Sequence, residues 1–127
     1  MLNMKKTLLA LLVLIILQLA CSFGNSKKVN ALIQQGDQLV EEGKYTEAIS
    51  IYNQALELDE ESSYAYSGRG TANRHLGNNE LALDDLTKAI GYDTKNYKAY
   101  YERGMVYYLT DDTSAALSDC QKSVSIN

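Results

Sequence analysis

The sequence predicts an all-α fold of three consecutive helix pairs, and three observations predict it. Shifting the chain against itself by 34 positions lays "AYSGRG" (65–70) on "AYYERG" (99–104) and brings Gly36 onto Gly70 and Gly104. Apolar positions recur at helical spacing and match at the same shift, and a fixed period of this size marks a stack of like units. Proline is absent from the 127 residues, so the commonest helix breaker is missing.

Composition narrows the function before any motif is read. With 46% apolar and 22% charged residues, the chain is of the globular and not the disordered type. The formal charge is −4, and without Lys5 and Lys6 it falls to about −6. So acidic a body is unsuited to gripping phosphates, and no nucleic-acid partner is expected.

Residues 1–21 read as a targeting segment: Lys5 and Lys6 precede "TLLALLVLIILQLAC", an apolar run ending in small residues. Cys21 directly after Ala20 resembles the lipobox of bacterial lipoproteins, which implies lipid attachment at Cys21. Two other readings stand beside it. "ACS" suits ordinary cleavage after Ser22, and the uncharged stretch from Thr7 to Ser26 just suffices as an uncleaved anchor across a hydrocarbon core of about 30 Å. All three export the domain, and lipid attachment or an uncleaved anchor would leave it on a membrane behind a tether, residues 22–28. With Cys21 acylated, only Cys120 remains, which excludes an intrachain disulfide and makes Cys120 a packed thiol on a buried stripe.

The folded domain is residues 29–127, with units 29–62, 63–96 and 97–127. Helices are predicted near 29–41, 45–58, 63–76, 79–92, 97–109 and 113–126. Gly43 and Gly77 suit the left-handed residue that ends a helix, Asp111 takes that place in the third unit, and Asn78 and Asp112 suit helix starts. Large residues form columns: Ile49, Leu83 and Leu117; Leu56, Ile90 and Val124; Tyr52, Leu86 and Cys120. Small ones form others, and Gly36, Gly70 and Gly104 each lie 12 residues before an alanine (48, 82, 116). These glycines are read as notches where two antiparallel helices meet glycine against alanine.

"GDQLVEEGKYTEAISIYNQALELD", "GTANRHLGNNELALDDLTKAIGYD" and "GMVYYLTDDTSAALSDCQKSVSIN" together resemble the tetratricopeptide repeat, a helix-turn-helix unit of this period. The resemblance covers residues 29–127. It implies a right-handed α-solenoid of six helices, although Glu60 and Thr94 stand where the family usually closes a repeat with proline. The outer side of the third unit, including Tyr107, Leu117 and Val124, is expected to be partly bare, which would permit self-association.

Catalytic constellations are not found. His75 is the only histidine and is read as a surface residue near a helix end. Asp84 and Asp85 are read as a solvated face, and Asp111 and Asp112 as turn and cap. No metal, cofactor or enzymatic activity is expected. The resemblance instead implies a concave groove lined by the first helix of each unit, holding a protein or peptide partner. The matching positions here are Ile33, Asp37, Val40 and Glu41; Tyr64, Thr71 and Arg74; and Tyr101, Met105 and Tyr108. Such a groove suits a segment that places an apolar side chain on the tyrosines and a basic one towards Asp37 and Glu41. The family's clamp for chaperone tails, built of lysines and asparagines, is not expected with Ile33, Asp37, Thr71, Tyr101 and Met105 at those levels. The function expected is an adaptor or scaffold in a bacterial cell envelope, with a self-associating assembly subunit as the alternative.

Overall fold

A computed structural model describes the backbone of residues 1–127 and all side chains except those of Leu2 and residues 20–23, so Cys21 lies outside the described side chains. Six helices follow one another: α1 (Leu2–Glu41), α2 (Tyr45–Leu58), α3 (Ser63–His75), α4 (Asn79–Tyr92), α5 (Tyr97–Leu109) and α6 (Thr113–Ile126). The last five match the expected bounds within one residue. The first differs, because α1 runs without interruption through the expected tether at residues 22–28. Gly24 is the only strong helix weakener there, and extending an existing helix costs far less than starting one.

Each helix packs on its sequence neighbours. In addition α1 touches α3 and α3 touches α5, while α2, α4 and α6 make no such mutual contacts among the described residues. The stack therefore curves towards α1, α3 and α5, which form its concave layer, as expected of units that contact only their neighbours.

The turns are built alike. Gly43, Gly77 and Asp111 adopt φ of +74°, +79° and +63°, and in each case the next N–H bonds back to a carbonyl five residues earlier: Lys44 to Leu39 (2.8 Å), Asn78 to Asn73 (2.9 Å), Asp112 to Tyr107 (2.9 Å). That bond caps the helix and reverses the chain. Between repeats an aspartate does the work that proline does elsewhere: Asp59 and Asp93 accept the N–H of Glu61 (3.1 Å) and Lys95 (2.9 Å). Ser62 and Asn96 then cap α3 and α5 by accepting from Ala65 and Ala99. Asp112 caps α6 through Ala115. Asn78 stands at the N-cap of α4 as expected, but its side chain accepts no N–H of that helix and its amide donates to Asn73 Oδ1 at 3.4 Å.

The glycine notches exist, but what fills them corrects the expected glycine-on-alanine contact. A Cβ on Gly36 would lie 2.6 Å from the Tyr52 ring, one on Gly70 2.8 Å from Leu86 Cγ, and one on Gly104 3.1 Å from Cys120 Sγ. The large-residue column occupies the notches, and Ala82 and Ala116 contribute their carbonyl oxygens at 3.3 and 3.2 Å. Cys120 is accordingly packed against α5, though only half-buried. Gly68, which no column had marked, makes room for the same Tyr52 ring from the other side.

Asp85 corrects another expectation. It is only 3% exposed and takes two bonds from Arg69, Nε at 2.9 Å and Nη2 at 2.7 Å, while Nη1 reaches Asn53 on the preceding repeat at 2.7 Å. One period later Arg103 bonds Asp119 twice and Thr87 once. Each guanidinium thus joins its own helix pair and clips it to the one before, with the bidentate geometry that makes arginine the stronger partner. Asp84 is solvated as expected and pairs with Lys88.

Gly68→Ala is expected to lower stability by about 1–3 kcal/mol, because the added methyl overlaps a ring that cannot retreat. Gly91→Ala, where nothing lies within 4 Å, is expected to raise it by about 0.5 kcal/mol through helix propensity. Paired denaturant titrations followed by circular dichroism check both; equal effects would remove the packing argument.

Candidate protein-binding groove

The concave layer encloses an open cavity of about 570 Å³. It runs diagonally, from the C-terminal half of α1 (Ile33, Asp37, Val40, Glu41) across α3 (Tyr64, Ser67, Gly68, Thr71) to the N-terminal end of α5 (Tyr97, Lys98, Tyr101, Glu102) and the end of α6 (Ser123, Val124, Asn127). Among the predicted positions, Ile33, Asp37, Val40, Glu41, Tyr64, Thr71 and Tyr101 come together in it.

Arg74, Met105 and Tyr108 are not among the residues lining this cavity, although they stand on the same two concave helices. Tyr108 stays 65% exposed outside the cavity. Arg74 is spent on an ion pair with Glu102, Nε to Oε2 at 2.7 Å, which ties α3 to α5 at the groove wall. Val124 is bare, at 79% exposure, but faces the groove mouth. In the preceding units its column mates Leu56 and Ile90 are buried or half-buried under the next helix pair.

Tyr52 was missed by the sequence reading, and it forms the floor. Its ring lies between Gly36 and Gly68, and its hydroxyl donates to Asp37 Oδ1 at 2.6 Å. Burial, reinforced by the neighbouring carboxylate, pushes the phenol well above its usual pKa, so it remains a donor at every physiological pH. The sequence signal was Gly68, a glycine inside a helical pattern that the 34-residue columns leave unexplained.

At the rim, His75 stacks on Tyr45 with ring centroids 4.6 Å apart and planes within 2°. Its Nε2 accepts from Arg74 Nη2 at 3.2 Å, an assignment that follows because arginine can only donate. Partial burial and then Arg74 lower its pKa, with Glu102 opposing. No group of side chains fit to hold a metal occurs among the described residues.

Comparison with known proteins agrees with this architecture. The model described as "TPR repeat" matches residues 36–74 and the one described as "Tetratricopeptide repeat" matches residues 97–127, together more than half the chain. DnaJ homolog subfamily C member 7 of Mus musculus is 32% identical over 102 residues, 77% of this chain and 21% of that protein. Small glutamine-rich tetratricopeptide repeat-containing protein 2 of Mycosarcoma maydis is 29% identical over 100 residues, 79% of this chain and 28% of that protein. The chain thus spans only 21% and 28% of the length of these relatives. Among solved structures, the second TPR of Spaghetti (RPAP3) bound to the HSP90 peptide SRMEEVD superimposes with a TM-score of 0.79 at 23% identity, covering 87% of this chain and 95% of that one. MamA gives 0.70 at 30% identity, covering 78% and 58%. The chain belongs to the tetratricopeptide repeat family, whose solved members include peptide-bound forms.

The lowered pKa of His75 has a definite sign. The folded state holds the imidazole proton less tightly than the unfolded chain, so stability falls as pH drops below about 6.5 and this loss is complete below the folded value. His75→Phe, which keeps an aromatic ring beside Tyr45, is expected to flatten that segment of the stability profile between pH 7.5 and 5.5. An unchanged slope in urea titrations across that window would assign the effect elsewhere.

Proposed function

We propose that this chain is a non-catalytic adaptor that holds a segment of a partner protein in its concave groove while tethered to a membrane of a bacterial cell envelope. The observation that carries the reading is the groove: exposed Tyr64 and Tyr101 and an acidic pair stand on a scaffold whose buried polar side chains are nearly all bonded internally. Among the described residues only Asn79 Oδ1 is buried without a partner. Rigid tyrosines around a preformed concavity are the usual anchors of an interface. The HSP90 peptide bound by a fold neighbour supports a peptide segment as the partner, although Asp37 and Glu41 would repel the acidic residues of that particular sequence.

Membrane attachment is supported by α1, whose residues from Leu8 to Leu19 leave large apolar side chains exposed and which is long and apolar enough to cross a bilayer. Two attachments fit, a lipid on Cys21 or an uncleaved anchor. Fatty-acid labelling of cells producing the wild type and Cys21→Ala decides between them: label lost with the cysteine identifies a lipoprotein, and membrane retention without label identifies the anchor.

The adaptor function is tested by capture from detergent-solubilised envelope with the full chain. A discrete partner is expected with the wild type and with Tyr108→Ala, and at least about tenfold less with Tyr64→Ala combined with Tyr101→Ala, helicity being equal. Equal capture by all three would refute the groove.

A further inference from the structure

We propose that the groove selects an extended segment carrying a basic side chain and a large apolar one about six residues apart, the basic one at Asp37 and Glu41 on α1 and the apolar one at Tyr101 and Val124 on α5 and α6. This rests on the adaptor reading and specifies the partner by its chemistry.

The cavity is electrically graded. Its α1 end presents the exposed carboxylates of Asp37 and Glu41 beside the C-terminal end of a helix, where the backbone adds partial negative charge. The only lysine or arginine among the residues lining the cavity is Lys98, at the opposite end. Arg74, the base nearest the middle, is already neutralised by Glu102 at 2.7 Å. Asp37 and Glu41, which pair with no lysine or arginine in any ion pair seen among the described residues, are therefore where a cation from solvent finds open carboxylates, whereas Glu102 is already paired with Arg74.

The acidic end is also held in place. One oxygen of Asp37 accepts the Tyr52 hydroxyl at 2.6 Å, and Tyr52 cannot swing because glycine notches on α1 and α3 grip its ring. Fixing the carboxylate before a ligand arrives spares the ordering cost of binding. At the other end Tyr101 and Val124 are exposed, at 49% and 79%, on helices that pack against each other.

Geometry sets the spacing. Since α1 touches α3 and α3 touches α5, two interaxial steps of about 8–10 Å separate α1 from α5. Tyr101 lies four residues below the level that matches Asp37, which adds a drop of about 6 Å. The diagonal is about 19 Å, or about six residues of extended chain. A helical segment would instead need about thirteen residues to cover the same diagonal, so the separation at which affinity peaks reports the conformation of the occupant.

The test uses the full chain in detergent micelles and fluorescence anisotropy with synthetic probes. Each probe is a Ser/Gly peptide carrying one Arg and one Phe, in both orders and at separations of one to nine residues. Affinity is expected to peak at a separation of about five to seven, to fall about fivefold when Arg becomes Gln, and to lose that dependence in the variant Asp37→Asn with Glu41→Gln. Tyr52→Phe, which keeps the ring in its notches, is expected to reduce the Arg preference without unfolding the chain. Affinity indifferent to Arg or to spacing, or an Arg preference that survives the acidic-pair variant, overturns the proposal. So does self-association abolished by the groove variants with no probe bound, which would make a second copy the occupant. Partner capture that succeeds while the probes fail overturns only this specificity; capture that fails removes the adaptor reading itself.

Discussion

The placement of Tyr52 is the constraint on which the rest of this structure turns. A ring of that size enters the interface of three helices only because α1 and α3 each give up a side chain, at Gly36 and Gly68. Each glycine costs its helix roughly 1 kcal/mol against alanine, and the buried ring offsets that loss through its contact with both helices. The hydroxyl then has one available partner, Asp37, so a packing decision in the core becomes the orientation of a carboxylate on the binding face. Core and groove are here one arrangement.

Around that centre, repetition carries the architecture. Arg69 with Asp85, and Arg103 with Asp119, clip successive helix pairs by the same three bonds. The first unit has Gln35 and Ile51 at the matching positions, so both partners of the pair are replaced together and no lone charge is buried, which would be the costly outcome. Ser63 bonds the Ala89 carbonyl, and one period on the roles reverse, with Ser123 bonding the Tyr97 carbonyl. The contact is kept while the residue that makes it changes sides.

The units are alike in their cores and unlike on their concave surfaces. Column mates such as Ile33, Ser67 and Tyr101, or Asp37, Thr71 and Met105, share a structural address but no chemistry. Packing demands repetition from the buried positions, whereas the groove positions answer only to a partner. The resulting gradient, acidic at α1 and aromatic at α5, gives a direction to an otherwise repetitive scaffold.

Much of this was legible in the residues. The 34-residue period, the alternation of small and large columns and the glycines at 43 and 77 determined the helix pairs and their turns, because helix periodicity and positive φ are local properties written into residue type. The concave location of Ile33, Asp37, Tyr64 and Tyr101 was readable for the same reason, once the units were aligned. The buried state of Asp85 was not, since its partner Arg69 lies 16 residues away on another helix and a charged residue alone reads as solvated. Nor was the ion pair that Arg74 makes with Glu102, since the two lie 28 residues apart on different helices. Sequence by itself determined what each repeat is; only the tertiary structure decided which rows of residues meet across repeats, because that depends on helix crossing and on which ring fills which notch.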